Sequence, residues 1–243
     1  MQEILKKGSK DLGVPLSDEQ IDKLIRYSDL LVDWNEKMNL TAITEKDAIA
    51  TKHFLDSLSA ISTGHVRGKV IDVGCGAGFP GLVLKIAKPE TKLTLLDSLN
   101  KRITFLDAVC TDLGLSDVET VHARAEDAAR RMREEFDTVV SRAVANMTVL
   151  SELCIPFLKV GGRFLALKGP LADEELKDAQ RAIGILGGEV EDVFRANIPY
   201  TELSHKIIIV KKVRHTPMKF PRKAGIVTKN PIDSCYNLIQ NKK

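Results

Sequence analysis

Apolar residues near the start of the chain recur at three- and four-residue spacing. Ile21, Leu24, Ile25, Leu31 and Val32 mark one helical face, and Ser17 with Gln20 three residues on forms a capping-box pattern before it. A second amphipathic stretch runs from about Asp47 to Ile61, with Ile49, Phe54, Leu58 and Ile61 as its apolar members. W-N-E-K-M-N-L-T (Trp34–Thr41) between them reads as a link of mixed polarity. From Lys69 the pattern changes. Short apolar runs at Val70–Val73, Lys92–Leu96, Val118–Val121, Phe136–Ser141 and Arg163–Leu167 read as strands. Helical spacing fills Gly81–Ile86, Lys101–Leu113 and the region around Val149–Leu158, with Gly114 and the Gly161-Gly162 pair as breaks. This alternation predicts a parallel sheet with helices on both faces. The ending differs: a helix over Glu174–Leu186 and a Gly187-Gly188 break precede two runs, Val190–Arg195 and Lys206–Val213, with no helix between them. Two such strands predict an antiparallel hairpin that closes a seven-stranded sheet.

The pattern divides the chain into a helical extension over 1–64, an α/β domain over 65–213 and a C-terminal tail over 214–243. The 243 residues are 44% hydrophobic and 28% charged, the balance of a globular protein. No apolar run reaches the length of a membrane span, and Met1–Lys10 lacks the apolar core of a signal peptide, so a cytoplasmic location is expected. Cys75, Cys110, Cys154 and Cys235 form no C-x-x-C pair, which argues against a zinc module and a disulfide framework. No metal is expected. Net charge is only +3, yet residues 201–243 carry 10 basic and 2 acidic side chains. That asymmetry points to a polyanionic partner, with a solvated basic tail as the alternative.

The candidate chemistry lies in V-I-D-V-G-C-G-A-G-F-P-G (Val70–Gly81), a strand running into a glycine loop. Residues Gly76–Gly81 match the G-x-G-x-x-G dinucleotide fingerprint, and Asp97 comes 21 residues after Gly76, so a dinucleotide cofactor is a competitor. Gly74 already succeeds the strand directly, however, and Asp72 at the strand end makes the pattern D-x-G-x-G-x-G. This is the usual first motif of methyltransferases that use S-adenosylmethionine, and the antiparallel ending is typical of their Rossmann-like class I fold. Loop N–H groups at positions such as Gly76 can meet the ligand carboxylate, and Asp72 suits its cationic amino acid portion or braces the loop. Asp97, after L-T-L-L, suits ribose hydroxyls. Ala125-Glu126 comes after the third strand, where the adenine usually lies; Glu126 equally suits the first turn of a helix.

The acceptor is less defined. The [DN]-P-P-[YFW] clamp of many exocyclic-amine methyltransferases is missing after the fourth strand, where Ser141 and Arg142 stand instead. Cys154 lies among apolar residues and reads as structural rather than nucleophilic. Transfer to guanine N7 needs neither a nucleophile nor a general base, because N7 has a lone pair and no proton to lose; alignment suffices and no catalytic residue is required. Arg142 suits a cofactor carboxylate or an RNA phosphate better than N7, where a cation opposes the developing charge.

Beyond the glycine loop, the chain carries W-N-E-K-M-N-L-T at Trp34–Thr41, H-F-L-D-S at His53–Ser57, L-L-D-S-L-N-K-R at Leu95–Arg102, S-R-A at Ser141–Ala143, A-L-K-G at Ala166–Gly169, P-R-K-A-G at Pro221–Gly225 and K-N-P at Lys229–Pro231. Over nearly its whole length it resembles the RsmG (GidB) methyltransferases, which modify N7 of a guanosine in 16S ribosomal RNA. The resemblance implies that Gly74 and Phe79 line the cofactor pocket, Ala125 and Glu126 flank the adenosine, and Arg142 completes the site. It implies 16S RNA or the 30S particle as partner, with no membrane and no DNA. N7 faces the deep groove of A-form RNA, so the target lies in a loop or is drawn out of its stack. Phosphate contacts are expected from Lys101, Arg102 and Lys168, two of which lie near strand C-terminal ends, and from the basic segment 206–229, including Arg222, Lys223 and Lys229. His53 is expected to pack rather than to catalyse. A small-molecule methyltransferase and a non-catalytic RNA-binding protein remain as alternatives.

Overall fold

The computed structural model describes residues 1–142, 144–202 and 204–232; Ala143 and Cys235 fall outside them, as does the tail beyond Ile232. The chain opens with α1 (Gln2–Asp11) and α2 (Asp18–Met38). The capping box forms as predicted: the Gln20 N–H donates to Ser17 Oγ and the Ser17 N–H to Gln20 Oε1. The Gln20 amide then reaches the carbonyls of Ile86 and Ala87, tying the start of α2 to the end of the helix after the glycine loop. Ile21, Leu24, Tyr27 and Leu31 are buried along one face of α2. Trp34–Met38 continues this helix instead of forming a link, and Asn39 ends it in the left-handed region. Trp34 packs on Phe105, 5.7 Å between ring centroids, which adds apolar contact to the last turns.

The second helical stretch is α3 (Lys46–Ile49), a π turn (Ala50–Leu55) and α4 (Asp56–Ser62). A π turn adds one residue to a helical repeat and rotates the residues after it about the helix axis. Periodicity could not show it.

The sheet contains seven strands: β1 (Lys69–Val73), β2 (Lys92–Asp97), β3 (Val118–His122), β4 (Phe136–Arg142), β5 (Leu158–Lys168), β6 (Gly188–Asn197) and β7 (Ser204–Lys212). Their order is β3-β2-β1-β4-β5-β7-β6, parallel except for β7, which is antiparallel to both its neighbours. The predicted fold class is thus present. Helices α5 (Gly81–Ala87), α6 (Asn100–Asp112), α7 (Ala125–Arg131), α8 (Met147–Cys154), α9 (Ala172–Ile185) and α10 (Ile226–Lys229) complete the described chain. Alternate residues of β1 face opposite ways, as a strand requires. Val70 joins a core with α1, α2, α4, α5 and α6, whereas Ile71 and Val73 join a second core with α7, α8 and α9. The Gly161-Gly162 pair lies inside β5 rather than before it. The register shifts opposite Phe136 and Thr138, and Gly161 takes φ +90°, so the glycines absorb a bulge.

Segment 213–222 is strapped across α8. Glu152 of α8 is almost wholly buried and accepts from the Arg222 N–H (2.8 Å), from Nε (2.9 Å) and from Nη2 (2.6 Å). Lys212 is fully buried; its ammonium donates to the Ile155 carbonyl and Thr216 Oγ1 and pairs with Glu134 at 3.3 Å. Burial pulls the Lys212 pKa down to about 8, against the opposing pull of Glu134. Among the described residues, no helix is long and apolar enough to cross a membrane. Cys75, Cys110 and Cys154 are free thiols.

Arg222→Ala would leave the Glu152 carboxylate buried without its cation. Loss of one partner from a buried pair costs roughly 3–5 kcal/mol. Urea unfolding of the variant should show a loss of that order; a change below about 1 kcal/mol would mean the clasp carries little of the stability.

Candidate functional site

In a sheet of this order the crevice opens where the chain reverses direction, at the carboxyl ends of β1 and β4. The glycine loop starts there. Gly74, Gly76 and Gly78 all take positive φ, and a Cβ on Gly74 would lie 2.6 Å from Val144 Cγ2. The loop is held by its own backbone: the Gly74 and Cys75 N–H groups donate to the Leu96 carbonyl, and those of Gly78 and Phe79 to the Cys75 carbonyl. The Gly76 N–H donates to Asp97 Oδ2 at 2.9 Å. From Gly74 to Phe79, Ala77 alone keeps an N–H without an acceptor among the described residues. The loop therefore offers a ligand fewer amides than its glycine pattern suggests. From outside, the buried Tyr27 hydroxyl donates to the Ala77 carbonyl.

Asp72 does not reach the crevice. It is fully buried beneath the loop, where Oδ2 accepts from the Gly81 N–H at 2.7 Å and Oδ1 has no partner among the described residues. Burial raises its pKa to about 7, with the Gly81 bond and Arg142 acting the other way. Of the two roles open to Asp72, the geometry favours bracing the start of α5 over meeting a ligand's amino group.

The crevice is a cavity of about 540 Å³. Gly74, Gly76 and Phe79 line it on one side, Asp97, Ala125 and Glu126 on another, and Arg142 closes it. These seven residues are brought together as expected. Asp97 is almost wholly buried and also accepts from the Leu99 N–H (2.9 Å) and from Arg102 Nη1 (3.1 Å). Glu126 lies in the first turn of α7 and lines the cavity. Thr228 of α10 also lines it, so the segment beyond the Arg222 clasp contributes to the wall.

Arg142 does not stand free for an anionic ligand, contrary to expectation; it is held within the protein. Nη1 pairs with Asp56 Oδ2 at 2.8 Å, Nη2 meets His53 Nδ1 at 3.2 Å, and the guanidinium sits 5.0 Å from the centre of the Phe79 ring. The other Asp56 oxygen binds His205 Nδ1 at 2.6 Å. Arg142 Nη2, which only donates, and the Lys52 carbonyl, which only accepts, both lie 3.2 Å from His53 Nδ1, while Nε2 meets Thr41 Oγ1 at 2.9 Å. Burial and then the Arg142 charge lower the His53 pKa to about 4. His53 stacks on Phe79, 4.5 Å between centroids, in the packing role expected of it. The hydrogen bond to Asp56 raises His205. Burial pushes Asp56 up, but the His205 and Arg142 contacts outweigh it and hold the carboxyl below its ordinary value. The sequence gives no sign that Asp56 and His205 join the cluster around Arg142. The three-residue step from His53 to Asp56 is visible, but the partners of Asp56 lie 86 and 149 positions away.

The expected phosphate ligands divide. Lys223 and Lys229 are exposed. The Lys101 ammonium lies at the surface and donates to the Met38 carbonyl. Arg102 is turned toward Asp97. Lys168 is corrected: it is buried and donates to the Ala145 carbonyl and Glu175 Oε2. Arg222 is corrected as well, since its guanidinium faces Glu152 in the clasp.

The two imidazoles should titrate in opposite directions. Nitrogen-detected NMR should find His53 neutral down to about pH 4, and His205 with a midpoint above the usual 6.5. The raised His205 stabilises the fold fully below 6.5 and loses that contribution as pH rises through its folded value. The lowered Asp56 contributes above its ordinary 3.8 and loses its contribution as pH falls through its folded value. A His53 midpoint near 6.5 would mean that burial and the Arg142 charge do not act on this ring as the packing implies.

The family model described as GidB, rRNA small subunit methyltransferase G, matches residues 20–203. A ribosomal RNA small subunit methyltransferase G from Alkaliphilus oremlandii (strain OhILAs) is 52% identical over 236 residues, covering 96% of this chain and 99% of that protein. One from Clostridium perfringens (strain 13 / Type A) is 51% identical over 234 residues, covering 95% and 98%. Solved structures similar to this one include TrmN from Thermus thermophilus, with TM-score 0.51 and 16% identity over 68% of this chain and 53% of that one. A precorrin-6y C5,15-methyltransferase from Geobacter metallireducens GS-15 has TM-score 0.50 and 17% identity over 72% and 91%. These two show a shared fold and nothing more. Half the residues being identical along almost the full length of both chains is a closer tie, and on it the chain belongs to the GidB family, rRNA small subunit methyltransferase G.

Proposed function

We propose that this chain transfers a methyl group from S-adenosylmethionine to N7 of a specific guanosine in 16S ribosomal RNA. The carrying observation is the family match along nearly the whole chain, joined to a preformed crevice with the chemistry that cofactor needs. The residues suit the cofactor group by group. Asp97 retains lone pairs beside its Gly76, Leu99 and Arg102 bonds and suits ribose hydroxyls. Ala125 and Glu126 suit the adenine, the Ala77 N–H suits the carboxylate, and Gly74 lets the ligand approach the backbone. When bound, the cofactor supplies a methyl group on a positively charged sulfur.

N7 attacks with its own lone pair, a carbon–nitrogen bond forms as the carbon–sulfur bond breaks, and the positive charge passes to the base. No proton moves, so no general base is needed; this chain's task is alignment. Arg142 does not oppose the charge that develops, because Asp56 already balances it. We assign the helical segment 1–64 and the tail 214–243 to substrate handling around the domain at 65–213. The proposed partner is the 16S RNA, free or within the 30S particle, in the cytoplasm. A small-molecule acceptor is the competing reading. It gains support from the internal pairing of Arg222 and Lys168, which removes two cations from the phosphate-binding set.

Purified protein should methylate 16S RNA or 30S particles, and mass mapping should place the group on guanine N7. A methyl group on an exocyclic amine or on ribose would overturn the assignment. Replacing Lys223 and Lys229 by alanine should lower the log–log salt slope of binding by about 0.7 for each phosphate no longer neutralised. An unchanged slope would favour the small-molecule reading. Gly74→Val places a branched side chain at positive φ against Val144, and calorimetry should show at least about a tenfold loss of cofactor affinity. Unchanged affinity would mean that the cofactor lies elsewhere.

A further inference from the structure

A second cavity, of about 630 Å³, adjoins the crevice. His53, Arg142, Val144 and Ala145 line both and so form a shared wall. Asp56, Lys168, Glu175 and His205 line only the second. We propose that this second cavity receives the acceptor guanine and that Glu175 reads its Watson–Crick edge. The inference rests on the N7 reading above.

The chemistry of the base sets the orientation. For N7 to meet the methyl group it must face the shared wall. The opposite edge, with N1–H and the N2 amino group side by side, then points to the residues that line the second cavity alone. Both groups donate, so the edge calls for an acceptor, and an ionised carboxylate is the strongest a protein offers. Two carboxylates line this cavity. Asp56 has committed one oxygen to Arg142 and the other to His205. Glu175, in the first turn of α9, binds the Lys168 ammonium (2.7 Å) and the Met147 N–H (2.8 Å) through Oε2 alone. Its Oε1 has no partner among the described residues, and the side chain is partly exposed.

Lys168 is itself fixed, donating to the Ala145 carbonyl at 2.5 Å with a side chain only 5% exposed. Glu175 is thus held by one oxygen while the other stays open. That is the arrangement of a reader and not merely of a brace. Adenine would present the N1 lone pair at this edge, set against the carboxylate without a hydrogen between them, so the pocket rejects it as well as accepting guanine. A base drawn out of its stack is the form that can enter.

Inosine tests this directly, because it keeps N7 and N1–H and lacks only the N2 amino group. Single-turnover methylation would use 16S RNA carrying guanosine or inosine at the mapped target, with the wild-type protein and Glu175→Gln. The wild type should methylate the inosine substrate about tenfold to a hundredfold more slowly, the worth of one hydrogen bond to a charged group. Glu175→Gln should slow guanosine by a similar factor and bring the two substrates within about threefold, with cofactor affinity unchanged by calorimetry. A merely structural role for Glu175 would slow both substrates alike and preserve their ratio. Equal wild-type rates, or a ratio preserved in the variant, would overturn the proposal while leaving N7 methylation in place. A methyl group mapped away from N7 would overturn the underlying reading and this inference with it. The wild-type comparison needs no variant, so equal rates on the two substrates would overturn the proposal even where Glu175→Gln does not fold.

Discussion

A guanidinium withdrawn from water must be surrounded by acceptors, and the way Arg142 meets that requirement organises this molecule. It stands at the end of β4, where an open sheet binds its ligands. Its partners come from the helical extension: Asp56 balances its charge, while the Lys52 carbonyl and His53 Nδ1 lie 3.2 Å from its Nη1 and Nη2. Asp56 reaches on to His205 near the start of β7. One cation therefore joins residues of the extension, the middle of the sheet and its antiparallel ending. Removal of Asp56 would leave the guanidinium without its counter-charge, the costly outcome for such a pair, whereas removal of Arg142 would leave Asp56 to His205 alone. Arg142 and His53 also stand in the wall between the two cavities, so the stability of the fold and the division of its site share one cause.

The glycine loop depends on the extension in a second way. Its conformation uses positive φ at Gly74, Gly76 and Gly78, and most of its N–H groups turn inward to Leu96, Cys75 and Asp97. A loop bonded in this way is settled before any ligand arrives, and fewer degrees of freedom remain to be lost on binding. Tyr27 of α2 completes it, bonding the Ala77 carbonyl while its ring packs 5.4 Å from Phe79 and 5.5 Å from Phe54. Phe79 lies in turn between Tyr27, His53 and Arg142. The loop is thus shaped by residues that precede the first strand. A sheet domain cut at residue 65 would lack them.

What could be read from the sequence was what local chemistry dictates. Alternating short apolar runs and helical spacing reproduced the seven strands and the helices α5, α6, α8 and α9 of the sheet domain but not α7, the capping box at Ser17 formed as written, and the residues of the glycine loop did meet Asp97 and Glu126 across a crevice. Misreadings arose where a distant partner decides. Trp34–Met38 looks mixed in polarity and stays helical because Trp34 has Phe105 to pack on. Gly161-Gly162 looks like a turn and lies within a strand because β4 pairs across the bulge. Lys168 and Arg222 look like solvent-facing cations, yet Glu175 and Glu152 take them inward. A carboxylate 70 positions away leaves no trace in the local pattern. The π turn at Ala50–Leu55 likewise keeps helical periodicity while it changes where His53 and Asp56 stand.

Charge along a chain is for the same reason a poor guide to charge at its surface. Residues 201–243 hold 10 basic and 2 acidic side chains. Yet Lys206 pairs with Asp173, Lys212 with Glu134 and Arg222 with Glu152, while Arg214 donates to the Gly184 carbonyl. Much of the surplus thus anchors the last part of the chain to acids supplied by the body. Lys223 and Lys229 remain exposed just beyond the strap that this anchoring creates, before and at the end of α10, whose Thr228 lines the crevice. A polyanion drawn to these lysines is drawn to the rim of that crevice. For the RNA substrate proposed here, phosphate contact and alignment of the base are then set by one clasp, since Arg222 fixes the strap while Glu152, its partner, belongs to α8, the helix that leads directly from β4 and Arg142.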